Sequence, residues 1–227
     1  MCINYQSVTR ELLHQLFDVT LPSEPAWPEQ VFQDYMAPII IAGEPGQRKG
    51  LVAAYSMVPK QHHKKERKRY MTMNARVETV GEKVTYADAW RNSQLCLVPM
   101  HAFYEPNWQT GTAERWKIGM ADEAPFAVAG LYRQWKEEDE SVTHAFTQLS
   151  INANDHPLMK IFHRPEDEKR SLVIIERSEY DDFLHCKDPE RARAYLTLFP
   201  AQRMRASASP LIRIAKPKKV ATANNQI

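Results

Sequence analysis

Four apolar segments rich in β-branched and aromatic residues, "QLCLVPMHAFYEP", "RWKIGM", "FAVAGLYRQW" and "THAFTQLSIN", follow one another at short intervals and restrict the fold most strongly. Acidic or glycine-containing turns separate the last three, which read as an antiparallel meander. Upstream, "APIIIA" and "GLVAAYSMV" read as buried strands, "RSLVIIE" supplies another, and "SPLIRIA" is placed to close the sheet. Helices are few. "VTRELLHQLF" sets Leu12, Leu13, Leu16 and Phe17 on one face with Thr9 as its cap, and "TYADAWRNS" suits a short helix. Ser178 and Asp188 are each placed to cap a helix, and Pro189 takes the first helical position ahead of "ERARAYLTLF". The proline-rich "LPSEPAWPEQ" reads as an ordered connection.

A chain of 227 residues can form one sizeable core. We expect a single domain over residues 1–215, with the basic "KPKKVATANNQI" of residues 216–227 as a disordered tail. Mean hydropathy of -0.54 and the lack of any long apolar run exclude a spanning helix, and no secretory leader is evident, so the cytoplasm is expected. Cys2, Cys96 and Cys186 are odd in number and lack a CxxC pair, which argues against a disulfide framework or structural zinc. His62 and His63 are adjacent and point apart on either regular element, so neither a metal nor another cofactor is called for. A net charge of +2 announces no polyanionic partner; only clustering can.

Clustering does occur. Between residues 60 and 70, Lys60, Lys64, Lys65, Arg67, Lys68 and Arg69 face the single acid Glu66, either as a solvated loop or as a phosphate-binding run. The "NAR" that follows places Arg76 for bidentate phosphate binding and Asn74 for orienting a sugar or aldehyde oxygen. Cys2 has two readings. It is either a small buried side chain or, once Met1 is removed, a thiol and an α-amine on one two-carbon frame, able to close a thiazolidine on an aldehyde. Glu105, at the end of an apolar strand beside Tyr104 and Phe103, would have its pKa raised by desolvation if buried. His163 and His156 are the histidines suited to acid–base work; His163, after the apolar "LMKIF", is preferred, with His156 in reserve.

In order, "MC", "NARVET", "CLVPMHAFYEP", "AGLY" and "NANDHPLMKIFHRPEDEKRSLVII" resemble the SOS response-associated peptidase family, the SRAP domain. The resemblance implies an α+β fold with a curved, barrel-like, mainly antiparallel β core and peripheral helices. It also implies a monomer without cofactor that binds single-stranded DNA and crosslinks to the aldehyde of an abasic site, shielding the lesion. Cys2 would form the thiazolidine, Asn74 would position it and Glu105 would shuttle protons. His163 would assist imine chemistry, reversal or β-elimination. Arg76 would hold a phosphate, with Lys60, Lys64, Arg67 and Arg69 adding electrostatic attraction. The family name further implies self-removal of Met1.

The chain departs from the family pattern at several positions. Ile3 and Asn4 replace a glycine and an arginine, Ser56 replaces a glycine, no tryptophan follows Pro59, and His101 stands where relatives often carry aspartate. Two other functions fit the residues: an N-terminal cysteine hydrolase using Cys2 with Glu105 or His163, and a noncovalent nucleic-acid module using the basic run and Arg76.

Overall fold

The computed structural model describes residues 4–63, 66 and 68–211. Along the chain run β1 (Asn4–Ser7), α1 (Arg10–Phe17), β2 (Gln30–Val31), β3 (Met36–Ala42), β4 (Arg48–Tyr55) and β5 (Asn74–Arg76). Then come α2 (Val84–Arg91), β6 (Leu95–Asn107), β7 (Glu114–Met120), β8 (Phe126–Lys136) and β9 (Val142–Asn152). The chain ends with β10 (Arg170–Leu172), β11 (Ile174–Ile175), α3 (Tyr180–Leu184), α4 (Pro189–Ala192) and β12 (Met204–Ala208). Short 3-10 turns fill several connections.

Five strands close a barrel. β3 pairs with β4, β4 with β9, β9 with β8, β8 with β6, and β6 returns to β3. Only the β4–β9 seam is parallel within this ring, at Ala54↔Ala145 and Tyr55↔Phe146. Closure removes the exposed edges that an open sheet of these strands would present. Side chains alternate across the barrel wall: Cys96, Val98 and Met100 join an inner core with Ile39, Tyr55, Val128 and Phe146. Leu95 and Leu97 face an outer layer holding Leu13 and Phe17 of α1, Trp90 of α2 and Phe183 of α3. Because both faces are covered, β3 reads as a continuous apolar run rather than an alternating one. Gly130 is required where β8 squeezes between its neighbours: a Cβ there would lie 2.6 Å from the Thr147 carbonyl oxygen and 2.8 Å from Cys96 Sγ.

The sequence segments form their expected elements, with four corrections. The meander is not sequential, since β7 pairs with β6 and β12 while β8 pairs with β6 and β9. β6 is long enough, at 13 residues, to serve β8 with its first half and β7 with its second. "RSLVIIE" splits at Val173 into β10 on β9 and β11 on β8. Ser178 caps nothing, for α3 begins at Tyr180 without a side-chain cap, and the helix after Pro189 lasts only four residues before tightening into a 3-10 turn. "MRASA" forms β12, an outer strand on β7, and of "SPLIRIA" residues 209–211 are not in a strand while residues 212–215 lie outside the described residues, as does the expected tail. Thr9 and Asp188 cap as expected, each side-chain oxygen accepting from a first-turn N–H. Among the described residues no helix is long and apolar enough to cross a membrane.

Candidate functional site

Glu105 and Phe103 alternate with Tyr104 along β6, so the carboxyl group points to the face that carries the inner core and is only 3 % exposed. Burial pushes its pKa up to about 7. His163 meets it. The chain reaches β6 through an isolated bridge between Phe162 and Asn107, and the His163 N–H donates to the Pro106 carbonyl at 2.8 Å. His163 itself sits at φ 64°, in the left-handed region, a strained conformation held by those contacts and one that histidine tolerates better than most side chains. Its Nδ1 lies 3.5 Å from Glu105 Oε2, and its Nε2 3.4 Å from the Arg170 carbonyl oxygen. Burial holds the imidazole down at about 4, so near neutrality the contact joins a neutral ring to a titrating carboxyl group and is not a charged pair.

His156 is equally buried and differently employed. Its Nδ1 accepts from the N–H groups of Leu158 and Met159, which leaves Nε2 as the donor to the Phe199 carbonyl at 2.8 Å. Three backbone partners fix this ring as a cross-brace between the turn at residues 156–159 and the segment before β12.

Asn74 and Arg76 occupy the two ends of β5, which runs parallel to β9. Asn74 is 8 % exposed, and the Tyr86 hydroxyl of α2 donates to its carbonyl oxygen at 3.2 Å. Arg76 is half exposed, with one edge held by Glu168 at 2.7 Å. β5 and β10 both pair with Ser150 of β9, which puts them on its opposite edges. Arg170 crosses between them: its buried guanidinium contacts Glu78, Glu168, the Ser150 hydroxyl and the Ser150 carbonyl. No sequence motif assigns Arg170, Glu168 or Tyr86 a role; the one local signal is an arginine opening the apolar "RSLVII" with an acid two residues before it.

The basic run divides. Arg69 is ion-paired to Asp34, whose Oδ1 also accepts the Lys60 N–H at 3.2 Å, so Asp34 ties the two ends of the loop together. The Lys60 side chain is exposed. Lys64 and Arg67 lie outside the described residues, as do Met1 and Cys2. Asn4, the first described residue, pairs with Tyr104, the neighbour of Glu105, and donates from Nδ2 to Gln30. Ser56 is fully buried, and its hydroxyl bonds to the Thr72 hydroxyl and the Val58 carbonyl. Arg164, next to His163, lies over the Trp108 ring at 5.1 Å and adds a cation at the rim. Among the described residues, no cluster of three or more His, Cys, Asp or Glu side chains is arranged to hold a metal.

Comparison with known proteins places this arrangement. A crystal structure of a protein from Bordetella bronchiseptica superposes with a TM-score of 0.83 at 30% identity, covering 92% of this chain and 100% of that one. A protein from Bacteroides thetaiotaomicron shares the fold at a TM-score of 0.75 and 17% identity, over 91% of each chain. Among curated proteins, the chain is 28% identical over 148 residues to the abasic site processing protein YobE of Bacillus subtilis, a match spanning 63% of each. YoaM of the same organism, also named an abasic site processing protein, matches at 28% over 63% of this chain and 61% of its own length. The model of the SOS response associated peptidase (SRAP) family matches residues 1–211, and with a barrel shared at 30% identity across the whole of a solved relative, this chain belongs to that family.

Proposed function

We propose that this protein processes abasic sites by binding single-stranded DNA and capturing the lesion's aldehyde on Cys2 after removal of Met1. The names of the curated relatives support the substrate class. The observation that carries the chemistry is the buried Glu105–His163 contact, on the strand against which β1 enters the sheet. Cys2 precedes Asn4 by two residues, and successive Cα atoms are about 3.8 Å apart, so chain connectivity tethers the aminothiol within about 8 Å of the strand end.

In this reading the α-amine adds to the aldehyde carbon and the resulting carbinolamine loses water to give an imine. The sulfur then adds to the imine carbon, the thiol proton ends on nitrogen, and one water is lost overall. A carboxyl group titrating near 7 exists in both forms at neutral pH; protonated Glu105 assists departure of the hydroxyl, and its carboxylate accepts the thiol proton. Neutral His163 packs its Nδ1 3.5 Å from that carboxyl group, restrains it and assists imine chemistry or reversal. Asn74 orients the sugar, and Arg76 holds a phosphate with the exposed edge of its guanidinium, supported by Lys60, Lys64, Arg67 and Arg69. Residues 1–215 act as one unit.

Intact-mass measurement after incubation with an abasic oligonucleotide tests this. The expected product is the Met1-less chain plus DNA less one water, absent from Cys2→Ala. A heat-stable adduct on Cys2→Ala refutes the thiazolidine. DNA-independent release of small peptides would instead favour the hydrolase, and salt-sensitive binding indifferent to a blocked N-terminus the noncovalent module.

A further inference from the structure

Arg170 stands between the acid–base contact and Arg76, its backbone carbonyl facing the His163 ring and its guanidinium facing Glu168, an arrangement that the proposed chemistry does not itself require. Glu105 Oε2 and His163 Nδ1 lie 3.5 Å apart. His163 Nε2 lies 3.4 Å from the Arg170 carbonyl oxygen. The Arg170 guanidinium, on a residue 2 % exposed, donates from Nη1 to Glu168 Oε1 at 2.7 Å. The other oxygen of Glu168 accepts from Arg76 Nη1, also at 2.7 Å. Glu168 additionally takes a hydrogen bond from Asn152 Nδ2 at 2.8 Å, which fixes its carboxylate on β9.

We infer that Glu168 is a positioning residue, which, anchored by buried Arg170 and by Asn152, aims Arg76 so that a phosphate bound there sets the abasic sugar against the Glu105–His163 pair. The inference rests on the proposed capture reaction and adds to it a residue that touches neither DNA nor the reacting atoms. Three observations bear it. Arg76 is gripped at one nitrogen by one carboxylate oxygen, leaving the remainder of a half-exposed fork for a phosphate. Glu168 would otherwise be an odd neighbour for a DNA contact, because an acid beside the phosphate track repels the backbone. Its retention of charge is also built in: burial opposes ionisation, yet hydrogen bonds from Asn152 and Arg170 and the charges of Arg170 and Arg76 hold the carboxyl below its ordinary range. Arg170 does not depend on Glu168 for its place, since Glu78 holds the other edge of its guanidinium at 2.8 Å and Ser150 supplies both a hydroxyl and a carbonyl. Removing the Glu168 charge therefore frees Arg76 and leaves the fold.

The test is Glu168→Gln, assayed for affinity toward undamaged single-stranded DNA and for capture rate at saturating abasic DNA. Positioning predicts opposite movements: affinity unchanged or up to about threefold tighter because an acid is gone, and a saturated rate about tenfold slower because the sugar is misplaced. In the Arg76→Ala background Glu168→Gln should change the rate no further, since it acts through Arg76. A saturated rate equal to that of the unaltered protein, or rate losses from the two substitutions that simply add, overturns the inference. So does a loss of rate accompanied by a fall in melting temperature, which marks a structural role. Failure of the unaltered protein to form any adduct would overturn the capture reaction itself, an outcome read from the control arm alone.

Discussion

Glu105 Oε2 lies 3.5 Å from His163 Nδ1, in a site where burial shifts both groups toward their neutral forms, the carboxyl group up to about 7 and the imidazole down to about 4. Between pH 4.5 and 6.5 folding thus moves a proton from where the unfolded chain carries it, on histidine, to glutamate.

That exchange has a signature in stability. An acid whose pKa rises from 4.5 to about 7 favours the fold at low pH, and its contribution is lost as pH climbs through that range. A histidine lowered from 6.5 to about 4 favours the fold at high pH, and its contribution is lost as pH falls from 6.5 toward 4. Between roughly 4.5 and 6.5 the two slopes cancel. Glu105→Gln removes one of them, so its stability relative to the unaltered protein should climb with pH across that window, by at most about 1.4 kcal/mol per pH unit. Urea denaturation at several pH values checks this; parallel profiles for the two proteins would contradict the assigned protonation states.

The two buried histidines should separate cleanly. His156→Ala removes a brace with three backbone partners and should cost about 1–3 kcal/mol of stability while leaving the capture rate of folded molecules intact. His163→Ala should slow capture or its reversal, and should also relieve the strained backbone only if glycine is used instead. Normal kinetics in His163→Ala with loss in His156→Ala would reverse the assignment.

Arg76→Ala should flatten the salt dependence of single-stranded DNA binding by about 0.7 in the slope of log K against log salt concentration, the signature of one lost phosphate contact. Fluorescence anisotropy over a salt series measures it. An unchanged slope would show that Arg76 stays with Glu168 and meets no phosphate.

Tyr86→Phe deletes the hydroxyl that donates to the Asn74 carbonyl and should leave the packing of α2 unaltered. The expected result is a stability loss near 1 kcal/mol with a several-fold slower capture, because β5 loses one of its restraints. A stability loss without any kinetic change would confine Tyr86 to the fold.

Gly130→Ala should be among the most damaging small substitutions, costing about 1–3 kcal/mol or more, since the new methyl group meets a carbonyl oxygen of the next strand and the Cys96 sulfur inside the barrel. Thermal melting decides it; an unperturbed melting temperature would mean that β8 and β9 can part without cost.

Much of this protein is written locally. The period and content of the apolar segments set where strands and helices lie, and Thr9 and Asp188 announce their helices, because each depends on neighbours a few residues away, whereas the raised pKa of Glu105 waits on its burial in the barrel. Pairing is another matter. That β6 divides itself between β7 and β8, that β4 and β9 form the parallel seam, and that Val173 breaks one apolar run into two strands depend on closing a ring, a condition no single segment carries. The same holds at the site. Sequence preferred His163 for its apolar lead-in and kept His156 in reserve; the folded structure turned His156 into a backbone brace and brought His163 against Glu105, and only it set a buried Arg170 between Glu168 and the His163 ring. Local composition fixes what each segment prefers to bury, whereas hydrogen-bond partners lying tens of residues apart are chosen when the barrel closes and every buried polar group must find one.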